Sequence, residues 1–202
     1  MTNLFHATEG RLHTFTFHDP TANLLRWSEA FGEAVWERNT LLSVTPGSGD
    51  PLGSDRAWTL HNSGIAPLAV AQRITGLAWH TYAFSVWIRS ATPGAVSLSL
   101  RTADAVHSDT RRIGPVWKRV LLSDGLPSGE PWIEFGVELA AGQTVEVFGA
   151  QVESQRAPSL YRPTASRSGV HTSARFAEDF LRIVADGPDR YSCEVAIEAL
   201  LS

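Results

Sequence analysis

Trp87, Arg89, Trp132, Glu134 and Glu138, with Arg101 as a further candidate beside them, are the residues of this chain best suited to chemistry. Each lies in a short segment of alternating apolar positions, so each points away from the side its neighbours would bury. Tyr82, Phe84, Val86 and Ile88 make the apolar face of one segment, with Thr81, Ser85, Trp87 and Arg89 opposite. Ile133, Phe135, Val137 and Leu139 oppose Trp132, Glu134 and Glu138, and Val96, Leu98 and Leu100 oppose Ser97, Ser99 and Arg101. Outward indoles beside carboxylates and guanidinium groups suit a sugar. Its C–H face stacks on an aromatic ring while its hydroxyls meet polar side chains. The same tryptophans would serve as well to seat a terminal extension or a neighbouring subunit. Alternation does not say whether these segments share a sheet.

Catalytic arrangements fare worse. Glycoside hydrolysis needs two acids ~5–9 Å apart across the scissile bond. Glu134 and Glu138 are four positions apart on one strand, which separates their Cα atoms by ~13 Å, and Glu130 stands before Pro131, ahead of the strand. No cross-strand pair is marked by anything in the sequence. His107-Ser108-Asp109 has the residue types of a hydrolytic triad, yet neighbours on a strand alternate faces and cannot relay a proton. There is no Gly-x-Ser-x-Gly elbow, the 7 histidines show no zinc spacing, and Gly125–Gly129 carries no phosphate-loop lysine. Arg111-Arg112 reads as a solvated strand end. Cys193 is the single cysteine, which rules out a disulfide framework; its apolar-looking run predicts a buried, inert thiol. The expectation is a protein that binds and does not cleave, with no catalytic residue and no cofactor.

The chain of 202 residues can bury a full core, and its net charge of -4 gives no footprint for nucleic acid or an anionic membrane. Lys118 is the only lysine among the basic residues, a bias of composition. The start at Met1 shows neither a basic nor an apolar leader region, so the expectation is cytoplasmic synthesis without a signal peptide. No apolar run approaches the ~20 residues a membrane-spanning helix needs.

Sixteen glycines and eleven prolines punctuate short runs rich in β-branched and aromatic residues, an all-β signature. Strands are predicted over Leu12–His18, Leu41–Thr45, Ala57–His61, Leu68–Thr75, Thr81–Ser90, Ala95–Thr102, His107–Ile113, Val116–Leu122, Trp132–Leu139 and Thr144–Glu153. Strand, turn and strand follow over Phe180–Val184, Asp186–Asp189 and Tyr191–Ile197. Ser28–Glu37, with an N-cap candidate at Ser28 and roughly helical apolar spacing, suits one short turn or helix. In Thr144–Glu153, Gly149 marks a bulge. Trp117 reads as sheet-edge packing, and Trp27, Trp36, Trp58 and Trp79 as anchors near strand ends. The predicted organisation is an N-terminal β extension over 1–20, a β-sandwich over 21–163, and a polar connector with a β-hairpin over 164–202.

Several segments together resemble a known family. Asn23-Leu-Leu-Arg-Trp-Ser-Glu-Ala-Phe31 followed by Trp36, Tyr82–Ser90, Trp117–Leu122, Phe135–Leu139, Val147–Glu153 and Ser159–Thr164 look like the opening, central, closing and exit segments of jelly-roll domains in phage and prophage tail proteins. Those domains in turn resemble the carbohydrate-binding modules attached to polysaccharide-degrading enzymes. The resemblance covers roughly residues 21–164. It implies an all-β jelly-roll sandwich of the galactose-binding-like kind with β extensions at both termini, and a non-catalytic module binding a surface polysaccharide. It implies a virion or tail-like particle as its location, with other tail subunits or further copies of itself as partners. The alternatives are a structural tail module that binds no sugar and, more weakly, a polysaccharide-cleaving enzyme. Many sugar-binding jelly rolls hold a structural calcium on the closing strand. Here Glu153, with a backbone carbonyl near Asn23, is the position the resemblance offers for it.

Overall fold

A computed structural model describes residues 15–77, 80–125, 132–178, 180 and 182–199. Trp79, the first positions of the strand expected from Leu12, and Glu130 and Pro131 with the stretch after Gly125 lie outside the described residues. The strands are β1 (Phe15–His18), β2 (Glu37–Arg38), β3 (Leu42–Ser48), β4 (Ala57–Asn62), β5 (Leu68–Ile74), β6 (Thr81–Arg89), β7 (Gly94–Arg101) and β8 (Val106–Ile113). They continue with β9 (Lys118–Gly125), β10 (Ile133–Leu139), β11 (Thr144–Glu153), β12 (Val170–Phe176), β13 (Ile183–Gly187), β14 (Arg190–Cys193) and β15 (Ile197–Ala199). The chain divides into two compact units, His18–Val170 and a second one built from the chain before and after it.

The larger unit is a jelly-roll β-sandwich. One five-stranded sheet runs β2-β5-β10-β7-β8 and the other β3-β4-β11-β6-β9. Strands as short as these cannot bury both faces, so two sheets must close on each other. The alternating apolar sets do this: Tyr82, Phe84, Val86 and Ile88 of β6 are buried, as are Ile133, Phe135, Val137 and Leu139 of β10 and Val96, Leu98 and Leu100 of β7. Phe135 meets Tyr82 and Phe84 across the core, with ring centroids 5.7 and 5.8 Å apart.

β11 runs through the middle of its sheet and changes face on the way. Val145 and Val147 point into the core; the register with β6 then slips between Phe148 and Gln151, and Ala150 and Val152 take over. Gly149 sits in the slip at φ +62°, left-handed backbone that a side chain resists.

Of the two alternatives over Ser28–Glu37 the helix is absent. In its place are separate turns in which Ala30 N donates to Trp27 O (3.0 Å), Glu33 N to Ala30 O (3.1 Å) and Trp36 N to Glu33 O (3.0 Å). Phe31 and Trp36 are both buried and stack with centroids 4.7 Å apart, which a regular helix, with its 3.6-residue turn, would not allow. Nor does the polar stretch after Pro163 stand apart from the sandwich. Trp27 N donates to Ala165 O and Gly169 N to Asn23 O, both at 2.8 Å, so the closing segment is laced to the lead-in through 170.

The second unit contains the sheet β1-β12-β15 and the separate hairpin β13-β14. Phe15 packs on Phe176 at 4.9 Å, and Arg175 donates to Glu198 at 2.8 Å. Every residue of β13 and β14 is exposed. Cys193 is therefore exposed, contrary to the buried thiol its apolar run predicts. A two-stranded ribbon buries little on its own.

Candidate functional site

The six candidate residues divide between the two sheets. Trp132, Glu134 and Glu138 lie on or just before β10, and Arg101 on β7 beside it, directly opposite Glu134. Trp87 and Arg89 lie on β6, in the other sheet. Each set faces outward, so the two look away from each other across the sandwich. Alternation tells inside from outside on each strand, but sheet membership comes from long-range pairing.

On the β10 face the residues form one connected group. Arg73 of β5, opposite Glu134 in register, donates to its carboxylate at 3.0 Å. Arg101 approaches the other oxygen of Glu134 at 3.7 Å. The guanidinium of Arg73 lies 3.9 Å from the centroid of the Trp132 ring, so one arginine is held between the indole and the acid. Beside this group the floor is small-chained: Ala69 and Ala71 on β5, Gly136 on β10, Ser97 and Ser99 on β7. A Cβ added at Gly136 would come within 3.0 Å of Ser99 Oγ and 3.2 Å of Ala71 Cβ, so the floor is low and tightly set. Glu138 stands at the far end, roughly 20 Å along the strand from Trp132. Arg73 escaped the sequence reading. Its alternation with Ala69 and Ala71 could have placed it outward, but only the pairing of β5 with β10 puts it at the site.

On the opposite face Trp87 is enclosed. Tyr161 of the exit segment packs edge-on against it at 5.2 Å, Phe148 at 6.0 Å, and the Arg119 guanidinium lies 4.5 Å from its centroid. Burial pushes the Tyr161 phenol well above its ordinary range, so it stays protonated. Arg89 is committed to a bidentate pair with Glu146 and stacks on Trp117 at 4.8 Å. That pair raises the guanidinium pKa, while the arginine's hydrogen bond lowers that of the carboxyl. Closed contacts of this kind brace the sheet and leave little of Trp87 or Arg89 for a ligand.

Glu153, the position offered for calcium, is buried and faces donors. Its oxygens accept from Gln151 Nε2 (2.7 Å), Gln155 Nε2 (3.0 Å), Ser159 N (2.9 Å) and Ser159 Oγ (2.5 Å). Four donors on a carboxylate with about four lone-pair sites leave it little to give a cation. The backbone carbonyl of Asn23 accepts from Gly169 N at 2.8 Å, and its side-chain oxygen from the amides of Leu25 and Val152 at 3.1 Å each. These residues do not fit a calcium ion, and no cluster of acids and histidines among the described residues makes another site.

No protein-family model matches the sequence, and comparison with curated proteins gives no match. Solved structures do resemble it. The C-terminal family 22 carbohydrate-binding module of a Clostridium thermocellum xylanase superposes with a TM-score of 0.54 at 12% identity, over 67% of this chain and 96% of that one. The fold is that of the jelly-roll carbohydrate-binding modules. An N-terminal family 22 module from the same organism, solved with its catalytic module and xylohexaose, gives 0.53 at 10% identity over 73% of this chain and 30% of that one. The enzymatically active domain of bacteriophage CBA120 tailspike protein 4 gives 0.53 at 14% identity, over 67% of this chain; the chain spans only 22% of that domain. At such identities the carbohydrate-binding-module likeness is one of architecture alone.

Proposed function

We propose that the sandwich is a non-catalytic carbohydrate-binding module whose glycan lies along the outer face of β10. Trp132 is the stacking platform. Arg73, Glu134 and Arg101 are the hydroxyl partners beside it, and Glu138 receives the chain at the far end. The observation that carries this reading is the Trp132–Arg73–Glu134–Arg101 group standing over the low floor of Ala71, Gly136 and Ser99. The stacked arginine fixes the indole before any ligand arrives, which lowers the ordering cost of binding. The jelly-roll neighbours, one of them solved with xylohexaose, support a glycan as the class of ligand. Glu134 is engaged by two arginines and stands ~13 Å along the strand from Glu138, a separation unsuited to hydrolysis.

Within that reading, a surface polysaccharide and a place in a phage tail or tail-like particle are supported by the sequence resemblance and by the likeness to the tailspike domain. The test is a glycan array followed by titration of the best neutral polysaccharide. Trp132→Ala should weaken binding about tenfold or more. Unchanged binding in that variant sinks the β10 site.

A second reading, a structural module of an assembly, is favoured by the hairpin β13-β14. Ile183, Val184 and Tyr191 there are 62%, 43% and 70% exposed, more apolar surface than so small an element should leave open. Light scattering on the full chain decides this point, since an oligomer that loses subunits on Ile183→Asp and Tyr191→Ser would assign the hairpin to assembly.

A further inference from the structure

Where the lead-in segment crosses β3 and β4, at the end of the sandwich, lies a pocket of about 330 Å³, near the small end of the range for ligand sites. Trp27, Pro46 and Trp58 wall it with apolar surface, while Glu29, Arg56 and Thr164 bring polar groups. The walls are held from behind. Trp58 Nε1 donates to Glu29 O at 2.7 Å, and its ring lies over Gly32, where a Cβ would come within 2.6 Å of it. Arg56 donates to the Glu29 carboxylate and to Ser54 Oγ, both at 2.8 Å. The loop carrying Arg56 closes on buried Asp50, whose carboxylate accepts from Leu52 N (2.7 Å), Ser54 N (3.3 Å), Arg56 N (3.2 Å) and the Ser54 hydroxyl. This is a preorganised cavity built on the loop between β3 and β4.

Trp27 is the residue that singles the pocket out. Its φ is +51°, left-handed backbone in which a bulky side chain is strained. The only other non-glycine residue at positive φ among the described residues is Asp189, in the hairpin turn, where aspartate is tolerated. The backbone of Trp27 is pinned in place: its N donates to Ala165 O at 2.8 Å, and its carbonyl accepts from Trp36 Nε1 at 3.0 Å. A glycine would make the same bonds without the strain. Strained residues of this kind concentrate at ligand clamps, and what the indole adds here is a ring in the wall of a cavity.

We propose that this pocket is a second saccharide site, which takes the terminal ring of a neutral oligosaccharide. Two indoles offer apolar platforms to the ring, and the half-exposed guanidinium of Arg56, held on the largely buried Glu29 carboxylate, donates to adjacent hydroxyls. The charge selects against acidic sugars. Arg56 is already matched by Glu29, and Asp55, which also lines the pocket, leaves an excess of negative charge. A cavity this small suits the end of a chain, whereas the open floor on β10 suits a chain passing across it. The inference shares the saccharide class with the β10 reading but rests on different residues, on β3 and β4 of the other sheet and the loops around them.

The experiment follows the tryptophan indole N–H signals of the full chain during titration with xylohexaose and maltohexaose, two neutral probes, and with trigalacturonic acid. The expected result is movement of the Trp27 and Trp58 signals with a neutral probe and none with the acid. Trp27→Gly should keep or raise the melting temperature while weakening the response at Trp58 about tenfold. Asp55→Ala, which leaves the Asp50 loop intact, should admit trigalacturonic acid. Trp132→Ala should leave the pocket response in place, so failure of the β10 site and failure of this one are read separately. Silence of Trp27 and Trp58 with both neutral probes overturns the proposal, as does a Trp27→Gly variant that loses stability while Trp58 still responds.

Discussion

At the scale of single residues, two tryptophans on equivalent-looking strands meet different fates. Trp87 is shut in by Tyr161, Phe148 and Arg119, whereas Trp132 is held by one arginine at the margin of an open floor. Trp87→Ala should therefore cost about 2–3 kcal/mol of stability, somewhat less than a fully buried tryptophan, and leave glycan affinity within a factor of about two; Trp132→Ala should do the reverse. Calorimetric melting beside binding titration checks both at once, and a Trp87→Ala protein that melts normally but no longer binds would move the site to the β6 face. Glu153 makes a second residue-scale case. Four donors converge on its buried carboxylate, so Glu153→Ala strands them and should cost about 2–4 kcal/mol. A chelator should leave the melting temperature unchanged, because those donors do the work that calcium does elsewhere. A fall of more than about 5 °C, restored by calcium, would contradict this.

At the scale of elements, β11 depends on its bulge. The strand must present Val145 and Val147 to the core before Gly149 and Ala150 and Val152 after it, and an extra residue is the way to change face without breaking the ladder. The glycine is needed twice over, for its φ of +62° and because a Cβ would lie 3.0 Å from the Tyr161 ring and 3.1 Å from Trp87. Gly149→Ala should lower stability by about 2–4 kcal/mol, read from the midpoint of denaturant unfolding. An unchanged midpoint would mean that the exit segment does not pack there. The bulge was legible in the sequence, because a glycine inside a strand marks either a bulge, as at Gly149, or a close approach of neighbouring groups, as at Gly136. The irregular lead-in was not, because its helical spacing is overridden by two aromatic anchors, Phe31 and Trp36, and by the left-handed turn at Trp27.

At the scale of the whole molecule, acid stability depends on two buried groups, His18, which reaches a distant strand, and Asp50, which closes its own loop. His18 is buried with its Nδ1 3.2 Å from the Tyr82 hydroxyl, and burial, helped by the nearby His80, lowers its pKa from 6.5 to about 4. The folded state therefore binds this proton more weakly than the unfolded chain. Above pH 6.5 neither state carries it; between 6.5 and 4 the unfolded chain gains it first and stability falls, by about 3 kcal/mol in all. Below that, Asp50 adds a loss of its own. Burial alone would raise its carboxyl, but the hydrogen bonds from Ser54, Leu52 and Arg56 hold it at about 2, so its contribution disappears as pH falls from 3.8 toward 2. Unfolding free energies at pH 7, 5 and 4 should show the first decline, and His18→Gln, which keeps an acceptor for Tyr82, should flatten it. A wild-type curve that is level between 6.5 and 4 would rule out His18 as its source. From the residues alone come the all-β class and the side of each strand that is core, because a two-residue periodicity is written locally along each strand; the jelly-roll arrangement was implied by the resemblance of several segments taken together. Only the tertiary structure decided that Trp87 and Trp132 belong to different sheets, that Arg73 completes one group while Tyr161 closes the other, and that Trp27 and Trp58 meet at a pocket. Such facts depend on pairings between segments tens of residues apart, which hydrophobic alternation permits in many combinations and packing of the whole core reduces to one.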